Sequence, residues 1–367
     1  MSEHTQQDEL TVRVIETSTL GDRSYVVHDG EVAIVVDPQR DIDRVLEILE
    51  SDGVRLTHVF ETHIHNDYVT GGLALARETG AAYLVNGEDD VSFERTPVAD
   101  GEVVEVGDRI AVRAIATPGH TFTHLSYAVT DGGEPFAVFT GGSLLFGATG
   151  RPDLMGPEHT DALVRHQHAS AHKLAEELPD EAEVFPTHGF GSFCSATQSD
   201  ATSSTIGQEK SQNPVLTQDE ETYVRELLDG LGAYPAYYAQ MGRRNAEGPD
   251  APDLSTPERA DAAELRRRIE AGEWVVDLRN RTAFAAGHAP GTVNFGLDGG
   301  FATYLGWLIE WGTPVTLLGE SADDVAEAQR ELVRIGIDRP AAHATGGPKD
   351  WSDRNLGSFE TATFFFF

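Results

Sequence analysis

The stretch Thr62-His63-Ile64-His65-Asn66-Asp67-Tyr68 decides the interpretation of this chain. It follows an apolar segment, residues 56–60, that reads as a buried strand ending at a site. Two histidines spaced two residues apart face one direction only on an extended or loop backbone, and a carboxylate follows two residues later. This spacing is typical of ligands to a transition metal. The alternative interpretation is a polar loop with ordinary surface histidines.

Two further histidines stand in similar positions downstream. His120 lies in a Pro-Gly turn after the apolar stretch 110–116, and His188 lies in a Pro-Thr-His-Gly turn after residues 183–184. Turns that close strands are where α/β layers place site residues along one sheet edge. A single histidine of this kind is more often structural. Three loop positions with the same context predict that their side chains converge.

The order of these motifs resembles the metallo-β-lactamase superfamily. The matching elements are His-x-His-x-Asp, Pro-Gly-His-Thr, Thr-Gly-Gly and Thr-His-Gly, over roughly the first two thirds of the chain. Residues 150–154 and 188–194 are similar to the persulfide dioxygenase (sulfur dioxygenase) branch. The resemblance implies an α/β fold, with an N-terminal αββα sandwich that holds metal at one edge.

Two positions depart from the pattern of that family. Tyr68 stands where the superfamily continues with a histidine, and Gly142 stands where the branch has a metal-binding aspartate. The resemblance therefore leaves His63, His65 and His120 as a possible three-histidine face. Such a face suits one transition metal, Fe(II) or Zn(II), held weakly to moderately because it lacks a charged ligand. Asp67 or a water could replace the missing carboxylate.

The resemblance also implies roles for residues around the metal. Arg151 matches an arginine that grips the carboxylate of a glutathione-like substrate through a charge-assisted pair; a structural salt bridge is the alternative. Tyr68 and Ser192 are the other predicted substrate contacts, and Asp67 and His188 are the predicted catalytic residues. A small-molecule thiol or persulfide is the expected partner.

Three functions are consistent with these residues. The first is oxidation of a low-molecular-weight thiol persulfide. The second is metal-assisted hydrolysis of a thioester or related ester, with Asp67 as general base. The third is a non-catalytic sensor or scaffold, because both parts of the chain have lost expected site residues.

The C-terminal part resembles a rhodanese domain, through Trp274-Val275-Val276-Asp277-Leu278-Arg279 and the stretch 287–294. Gly319 stands where a working rhodanese has its cysteine, and the acidic residues after it would repel a persulfide anion. Ser321 with Asp324 reads as a helix cap. We therefore expect an α/β domain with a parallel sheet and no sulfurtransferase chemistry. The predicted limits are 1–246 for the first domain, 247–256 for a linker, 257–356 for the second domain and 357–367 for a tail.

The charge of the chain indicates its surroundings. It has 27 basic and 61 acidic residues, a net charge of −34, spread along the whole length. Such a surface repels itself in dilute buffer and is screened by salt, which predicts a halophilic, high-salt cytoplasm. It disfavours nucleic acid and anionic membranes as partners. The sequence leaves open whether the protein forms a homo-oligomer.

Other sequence signals concern location and local structure. Cys194 is the only cysteine, and residues 1–10 lack the features of a secretory signal, which indicates a cytoplasmic protein. No segment approaches the ~20 apolar residues of a membrane span. Residues 158–178 predict a long helix and 196–213 a loop. Thr217 is the predicted N-cap of the next helix.

Overall fold

A six-stranded sheet opens the computed structural model, which describes residues 10–197 and 201–362. The predictions for residues 1–9 and for the end of the tail lie outside these residues. The strands of this first sheet are β1 (Thr11–Thr17), β2 (Asp22–His28), β3 (Val32–Val36), β4 (Arg55–Phe60), β5 (Ala82–Asn86) and β6 (Thr96–Val98). They lie in chain order, antiparallel from β1 to β3 and parallel from β3 to β6.

A second sheet of five strands faces the first. Its strands are β7 (Val103–Val106), β8 (Ile110–Ala116), β9 (Leu125–Asp131), β10 (Ala137–Gly141) and β11 (Glu183–Pro186). The spatial order is β11-β10-β9-β8-β7, and only the β10–β11 pairing is parallel. Both sheets are therefore mixed.

The core between the sheets consists of side chains from alternate positions of both. Tyr25 meets Phe139 with ring centroids 5.1 Å apart, and Phe60 meets Tyr127 at 4.9 Å. All four side chains are fully buried. Tilted and edge-on aromatic pairs add about 0.5–1.5 kcal/mol each beyond their buried area. These contacts hold the two sheets face to face.

Helices cover the outer face of each sheet. α1 (Asp43–Asp52) and α2 (Gly72–Thr79) pack on the first sheet through one apolar cluster. The second sheet is covered mainly by α3 (Thr160–Glu177), α4 (Ile206–Gln212), α5 (Pro214–Thr217) and α6 (Glu220–Gly230). α7 (Tyr238–Glu247) completes the unit. The predicted αββα sandwich is confirmed.

Two local predictions in this region are wrong. The stretch 196–213 is not all loop, because α4 forms there; a capping box at Thr205 starts the helix, and its first residue, Ile206, is fully buried. Thr217 does not cap α6 but ends α5. Asp219 is the N-cap, and its carboxylate accepts the Thr222 N–H at 3.1 Å. A carboxylate two residues downstream competes successfully with the threonine hydroxyl.

The second unit contains a four-stranded, all-parallel sheet. Its strands are β12 (Trp274–Asp277), β13 (Val293–Asn294), β14 (Val315–Gly319) and β15 (Ala342–Thr345), in the order β13-β12-β14-β15. Its helices are α8 (Ala262–Glu270), α9 (Arg281–Ala286), α10 (Phe301–Leu308), α11 (Ala322–Arg334) and α12 (Pro348–Trp351). The parallel sheet predicted from the sequence is confirmed.

Contacts divide the chain into these two units. The first runs to Tyr234 and resumes at Tyr238–Ala251, and the second takes Pro235–Tyr237 and the residues from Pro252 onward. The domain limits derived from the sequence stay predictions. Within the described residues, every helix is too short or too polar to cross a bilayer.

Candidate metal centre

Strand ends and the loops that follow them carry the site residues of the first unit. His63 and His65 follow β4, His120 follows β8 and His188 follows β11, while Asp22 opens β2. All five side chains belong to residues that are at most 1% exposed. β4 lies in the first sheet and β8 and β11 lie in the second, so the packing of the two sheets against each other brings these side chains, distant in sequence, together.

The histidine rings form one cluster, in which His63 lies nearest to the others. The ring centroid of His63 lies 4.1 Å from that of His65, 4.8 Å from His120 and 5.4 Å from His188. The Nε2 atoms of His63 and His188 are 3.4 Å apart. Ligand atoms of His63, His65 and His188 lie within 4.8 Å of one another, and so do those of His120, His188 and Cys194. His188 belongs to both groups, whereas the three predicted ligands, His63, His65 and His120, are not one such group among the described residues.

Asp37 fixes the loop that carries the first two histidines. Its carboxylate accepts the Thr62 N–H and the Thr62 hydroxyl, both at 2.7 Å, and also the hydroxyl of Thr187. Asp37 has φ 50°, which is unique among the non-glycine residues that the structure describes, and aspartate tolerates this left-handed conformation better than most residues. One buried carboxylate therefore joins the ends of β3, β4 and β11.

His65 is oriented by two carboxylates and a phenol. Its Nε2 lies 3.3 Å from Asp37, 3.2 Å from Glu61 and 3.0 Å from the Tyr68 hydroxyl. Burial lowers the pKa of His65, but Asp37 and Glu61 outweigh burial and raise it to about 9. Its Nδ1 has no hydrogen-bond partner among the described residues. A cation at Nδ1 would replace a proton on the ring.

Tyr68 also helps to orient the ring of His65. Its ring stacks on His65 with centroids 4.3 Å apart, and its hydroxyl donates to the backbone carbonyl of Asp37 at 3.3 Å. The side chain is fully buried. The residue that replaces the usual histidine thus contacts the predicted ligand His65 directly.

His63 and His120 each have one ring nitrogen bound by the protein. Nδ1 of His63 lies 2.9 Å from the Thr62 hydroxyl, and Nδ1 of His120 donates to the Arg151 carbonyl at 2.8 Å. Burial is the main cause that lowers the pKa of both, that of His120 to about 3. Both rings are therefore neutral, and Nε2 of each is left with a lone pair, as metal ligation requires.

The ring of His120 lies directly over Gly142. A Cβ at position 142 would come 2.3 Å from Cδ2 of His120, and a Cβ at Gly150 would come 2.8 Å from its Nδ1. Such distances are far inside van der Waals contact. The aspartate expected from the family pattern is therefore not simply missing, because the imidazole fills its space.

His124 contacts both the Gly142 backbone and the ring of His63. Its Nε2 accepts the Gly142 N–H at 3.0 Å, and its Nδ1 lies 2.9 Å from the Thr117 hydroxyl. Its ring stacks on that of His63 with centroids 4.9 Å apart. With both nitrogens engaged, His124 holds the backbone under His120 and does not offer a ligand atom.

Two carboxylates meet the other side of His188. Nδ1 of His188 lies 3.0 Å from Asp22 and 3.1 Å from Asp67. Burial lowers the pKa of His188, but the two carboxylates outweigh burial and raise it to about 10. Burial and the neighbouring Asp67 raise the pKa of Asp22 to about 7. Burial alone would raise the pKa of Asp67, but His188 lowers it overall. Asp22, Asp67 and His188 therefore form a buried cluster of three ionisable side chains.

The guanidinium of Arg151 is bound by other groups of the protein. It forms a two-point ion pair with Asp153 at 2.7 and 2.8 Å and donates to the carbonyls of Phe193 and Gly232. It also lies over the ring of Tyr234, 4.6 Å from the centroid. Its side chain is 4% exposed. A substrate carboxylate would have to compete with Asp153 for this arginine.

Ser192 and Cys194 lie in the loop after His188. The Ser192 hydroxyl accepts the Cys194 N–H at 3.2 Å, and both residues are fully buried. Burial raises the pKa of the Cys194 thiol, with Asp67 adding to the effect. The thiol is therefore protonated at neutral pH and is a weak nucleophile.

The residues of this cluster fit a transition metal. Nδ1 of His65, Nε2 of His120 and Oδ2 of Asp22 are buried and lack hydrogen-bond partners within the described ranges. An unpaired buried polar atom costs about 1–3 kcal/mol, so three in one cluster call for a ligand. Imidazole nitrogens with carboxylate oxygens suit Fe(II) and Zn(II).

The second unit has no comparable site at the end of β14. Only Glu320 and Ser321 separate the strand from α11, and Ser321 with Asp324 forms a capping box that binds the first N–H groups of the helix. A Cβ at Gly319 would come 2.9 Å from the Cβ of Asp324. The loop offers neither a thiol nor an open cradle for an anion.

Comparison with known families agrees with this architecture. Residues 21–188 match the metallo-beta-lactamase superfamily, and residues 261–354 match the rhodanese-like domain. The chain carries a metallo-β-lactamase domain followed by a rhodanese-like domain. Its only cysteine, Cys194, lies in the first of them.

Relatives with assigned names are similar over the metallo-β-lactamase domain. The human mitochondrial persulfide dioxygenase ETHE1 is 27% identical over 211 residues, which is 57% of this chain and 74% of that protein. A hydroxyacylglutathione hydrolase from Synechococcus sp. is 29% identical over 232 residues, 57% of this chain and 90% of that protein. Both relatives are enzymes.

Two solved structures, each 28% identical in sequence, resemble this protein in fold. A metallo-β-lactamase from Staphylococcus aureus subsp. aureus COL superposes with a TM-score of 0.82 at 28% identity and covers 93% of this chain and 99% of its own. ETHE1 from Myxococcus xanthus gives a TM-score of 0.55 at 28% identity, with 64% of this chain and 98% of its own covered. The first likeness extends over both domains.

Sequence reasoning missed several residues of the cluster. Asp22, Asp37, Glu61 and His124 are all at most 2% exposed and touch the predicted ligands. Asp37 had a detectable signal, because an Asp-Pro pair ends an apolar strand. Asp22 had none, since it looks like an ordinary turn residue beside Gly21.

Proposed function

We propose that the protein is a metal-dependent enzyme of sulfur metabolism that oxidises a low-molecular-weight thiol persulfide. The observation that carries this proposal is the state of the imidazoles. His65 and His120 each have one nitrogen oriented by the protein and the other without a hydrogen-bond partner among the described residues, and Nε2 of His63 meets only Nε2 of His188, at 3.4 Å, in a fully buried cluster. The likeness to persulfide dioxygenases in sequence and fold supports the choice of substrate.

These histidines would hold the metal, and His188 with Asp67 would manage protons beside it. When bound, an open-sided Fe(II) or Zn(II) supplies a positive centre for a sulfur or oxygen ligand, and Fe(II) also supplies electrons for dioxygen chemistry. His188 holds a proton at Nδ1 between Asp22 and Asp67. Its Nε2, 3.4 Å from Nε2 of His63, faces the histidine cluster and would deliver a proton to a leaving thiolate. The buried position of all three groups excludes water from the reacting atoms.

The overall reaction converts the persulfide, dioxygen and water into the free thiol, sulfite and two protons. Tyr68 and Ser192 are proposed to border the substrate side of the cluster. Arg151 contributes mainly by position, because its own carbonyl orients His120 while its guanidinium binds Asp153. We also propose a cytoplasmic location, since a reducing compartment preserves thiols and persulfides.

The test is oxygen consumption by protein reconstituted with Fe(II) under anaerobic conditions. Addition of glutathione persulfide, or of another low-molecular-weight persulfide, should consume oxygen and release sulfite in a one-to-one ratio. His120→Ala should lose the activity, whereas His166→Ala, on the exposed face of α3, should keep it. Loaded protein that consumes no oxygen with any persulfide contradicts the proposal.

A second candidate function is metal-assisted thioester hydrolysis. It is favoured by the hydroxyacylglutathione hydrolase relative, which aligns over 90% of its own length. Asp67 would be the general base for water. The same reconstituted protein, loaded with Zn(II), would release thiol from a hydroxyacyl thioester without oxygen. Absence of both activities in metal-loaded protein favours a sensor or scaffold.

A further inference from the structure

We propose that Asp22 is a metal ligand in this protein, in a site that it forms with Asp67 and Nδ1 of His188, on a different element from the family's aspartate, whose position is Gly142 in this chain. This inference rests on the proposed function only in that both require a metal in the cluster. It assigns a role to a residue on β2, outside the motifs that predicted the site.

The three side chains already have the spacing of a coordination site. Ligand atoms of Asp22, Asp67 and His188 all lie within 4.8 Å of one another, and the two contacts to His188 measure 3.0 and 3.1 Å. Ligands bound about 2.0–2.2 Å from one ion lie about 3.0–3.5 Å apart. In addition, Oδ2 of Asp22 is buried and has no partner within the described residues. It is a free ligand atom.

The carboxylate cannot return to its usual place. His120 occupies the volume where a side chain at Gly142 would begin, with 2.3 Å between a Cβ there and Cδ2 of the ring. His124 accepts the Gly142 N–H at 3.0 Å and fixes that backbone. A negatively charged ligand for this cluster must therefore come from a different element.

The backbone around Asp22 is built to hold it against the loop of His188. Gly21 has φ 75°, and a Cβ there would come 2.1 Å from the backbone nitrogen of Ser192. Its carbonyl accepts the Phe190 N–H at 3.1 Å, while the Arg23 N–H donates to the Thr187 carbonyl at 2.8 Å. These two bonds flank Asp22 on both sides. The β1–β2 turn is thereby joined to the loop after β11.

The surroundings of the three side chains lead to the same assignment. Asp22 and Asp67 are both fully buried, and both lie at the same nitrogen of one imidazole. A divalent cation held between them would be bound by both carboxylates. Two oxygens and one nitrogen suit Fe(II) as well as Zn(II).

Asp22→Asn in the full-length chain tests this inference, because asparagine keeps an oxygen for His188 but loses the charge. The metal-free protein is titrated with Zn(II), and anaerobically with Fe(II), against a chromophoric chelator. We expect affinity at least ~10–100-fold weaker than that of the unchanged chain. The matched control is Asp108→Asn, which changes an exposed aspartate in the β7–β8 turn and should leave affinity unchanged.

Co(II) provides a readout independent of affinity and activity. Its visible absorption reports ligand number and type, and it should change in Asp22→Asn. Asp22→Glu, which keeps the charge but lengthens the side chain, should retain binding with an altered spectrum; this second variant decides the question if the first fails to fold. Unchanged affinity and unchanged Co(II) spectra in these variants would overturn the assignment while leaving the proposed function intact. If the unchanged chain binds none of these metals, both fail.

Discussion

The replacement Asp37→Asn tests whether one buried carboxylate organises the whole site. Asp37 receives the N–H and hydroxyl of Thr62, the hydroxyl of Thr187 and the Nε2 side of His65. Asparagine has the same shape but turns one acceptor oxygen into an NH2 donor. Whichever way the amide sits, it faces a donor group, and His65 loses a charged partner.

The expected loss of stability follows from these contacts. Breaking a buried ion pair by removing one partner costs about 3–5 kcal/mol. In a domain of this size, 1 kcal/mol corresponds to about 2–4 °C in Tm, so the metal-free variant should melt roughly 6–20 °C lower. Metal affinity should also fall about 10–100-fold, since His65 would no longer be held in position.

Thermal unfolding followed by circular dichroism in the presence of a chelator measures the first effect. Asp108→Asn is the matched control, and an exposed change of this kind should stay within about 0.5 kcal/mol. A variant Asp37→Asn that melts within 2 °C of this control, on the order of the same 0.5 kcal/mol, would refute the argument that Asp37 joins the three strand ends.

Four other predictions concern packing, pH, salt and the second domain. Gly142→Ala should cost about 1–3 kcal/mol by calorimetry, because its Cβ meets His120, whereas Gly133→Ala, with open space around it, should be nearly neutral. Burial, opposed by the nearby Arg334, raises the pKa of Glu331 to about 7 from 4.5, so stability should fall as pH rises between these values. Glu331→Gln should abolish that slope and add about 1–3 kcal/mol in urea unfolding at pH 8. With a net charge of −34, the Tm should rise by several degrees from millimolar to molar KCl, and a Tm independent of salt would contradict the halophilic interpretation. No thiocyanate should form from thiosulfate and cyanide, even after Gly319→Cys, because a side chain at 319 would collide with Asp324.

Local sequence patterns determined much of the architecture. Apolar runs placed strands, as at β8, where the predicted stretch 110–116 and the observed bounds agree. The Ser321 cap of α11 also follows from nearby residues alone, because a capping box involves only one helical turn. Errors occurred where two local signals competed, as between Thr217 and Asp219 at the start of α6.

The histidines of the candidate site could be predicted because each stands in a turn directly after a strand. Their contacts with residues distant in sequence could not be predicted. His188 and Asp22 are 166 residues apart, and His63 and His188 are 125 apart. The local sequence does not predict which strand ends lie close together, because that depends on the order and register of the strands in the sheets. Only the folded sandwich placed β2 beside the loop after β11.

What the sequence by itself determined is the set of chemical groups, namely imidazoles and carboxylates at strand ends, and the loss of Asp at 142 and of Cys at 319. What the tertiary structure decided is which groups share a space. It set His120 over Gly142, bound Arg151 to Asp153 and brought Asp22 to His188. The physical reason is that ligand identity is a property of single residues, whereas coordination depends on distances that only long-range packing sets.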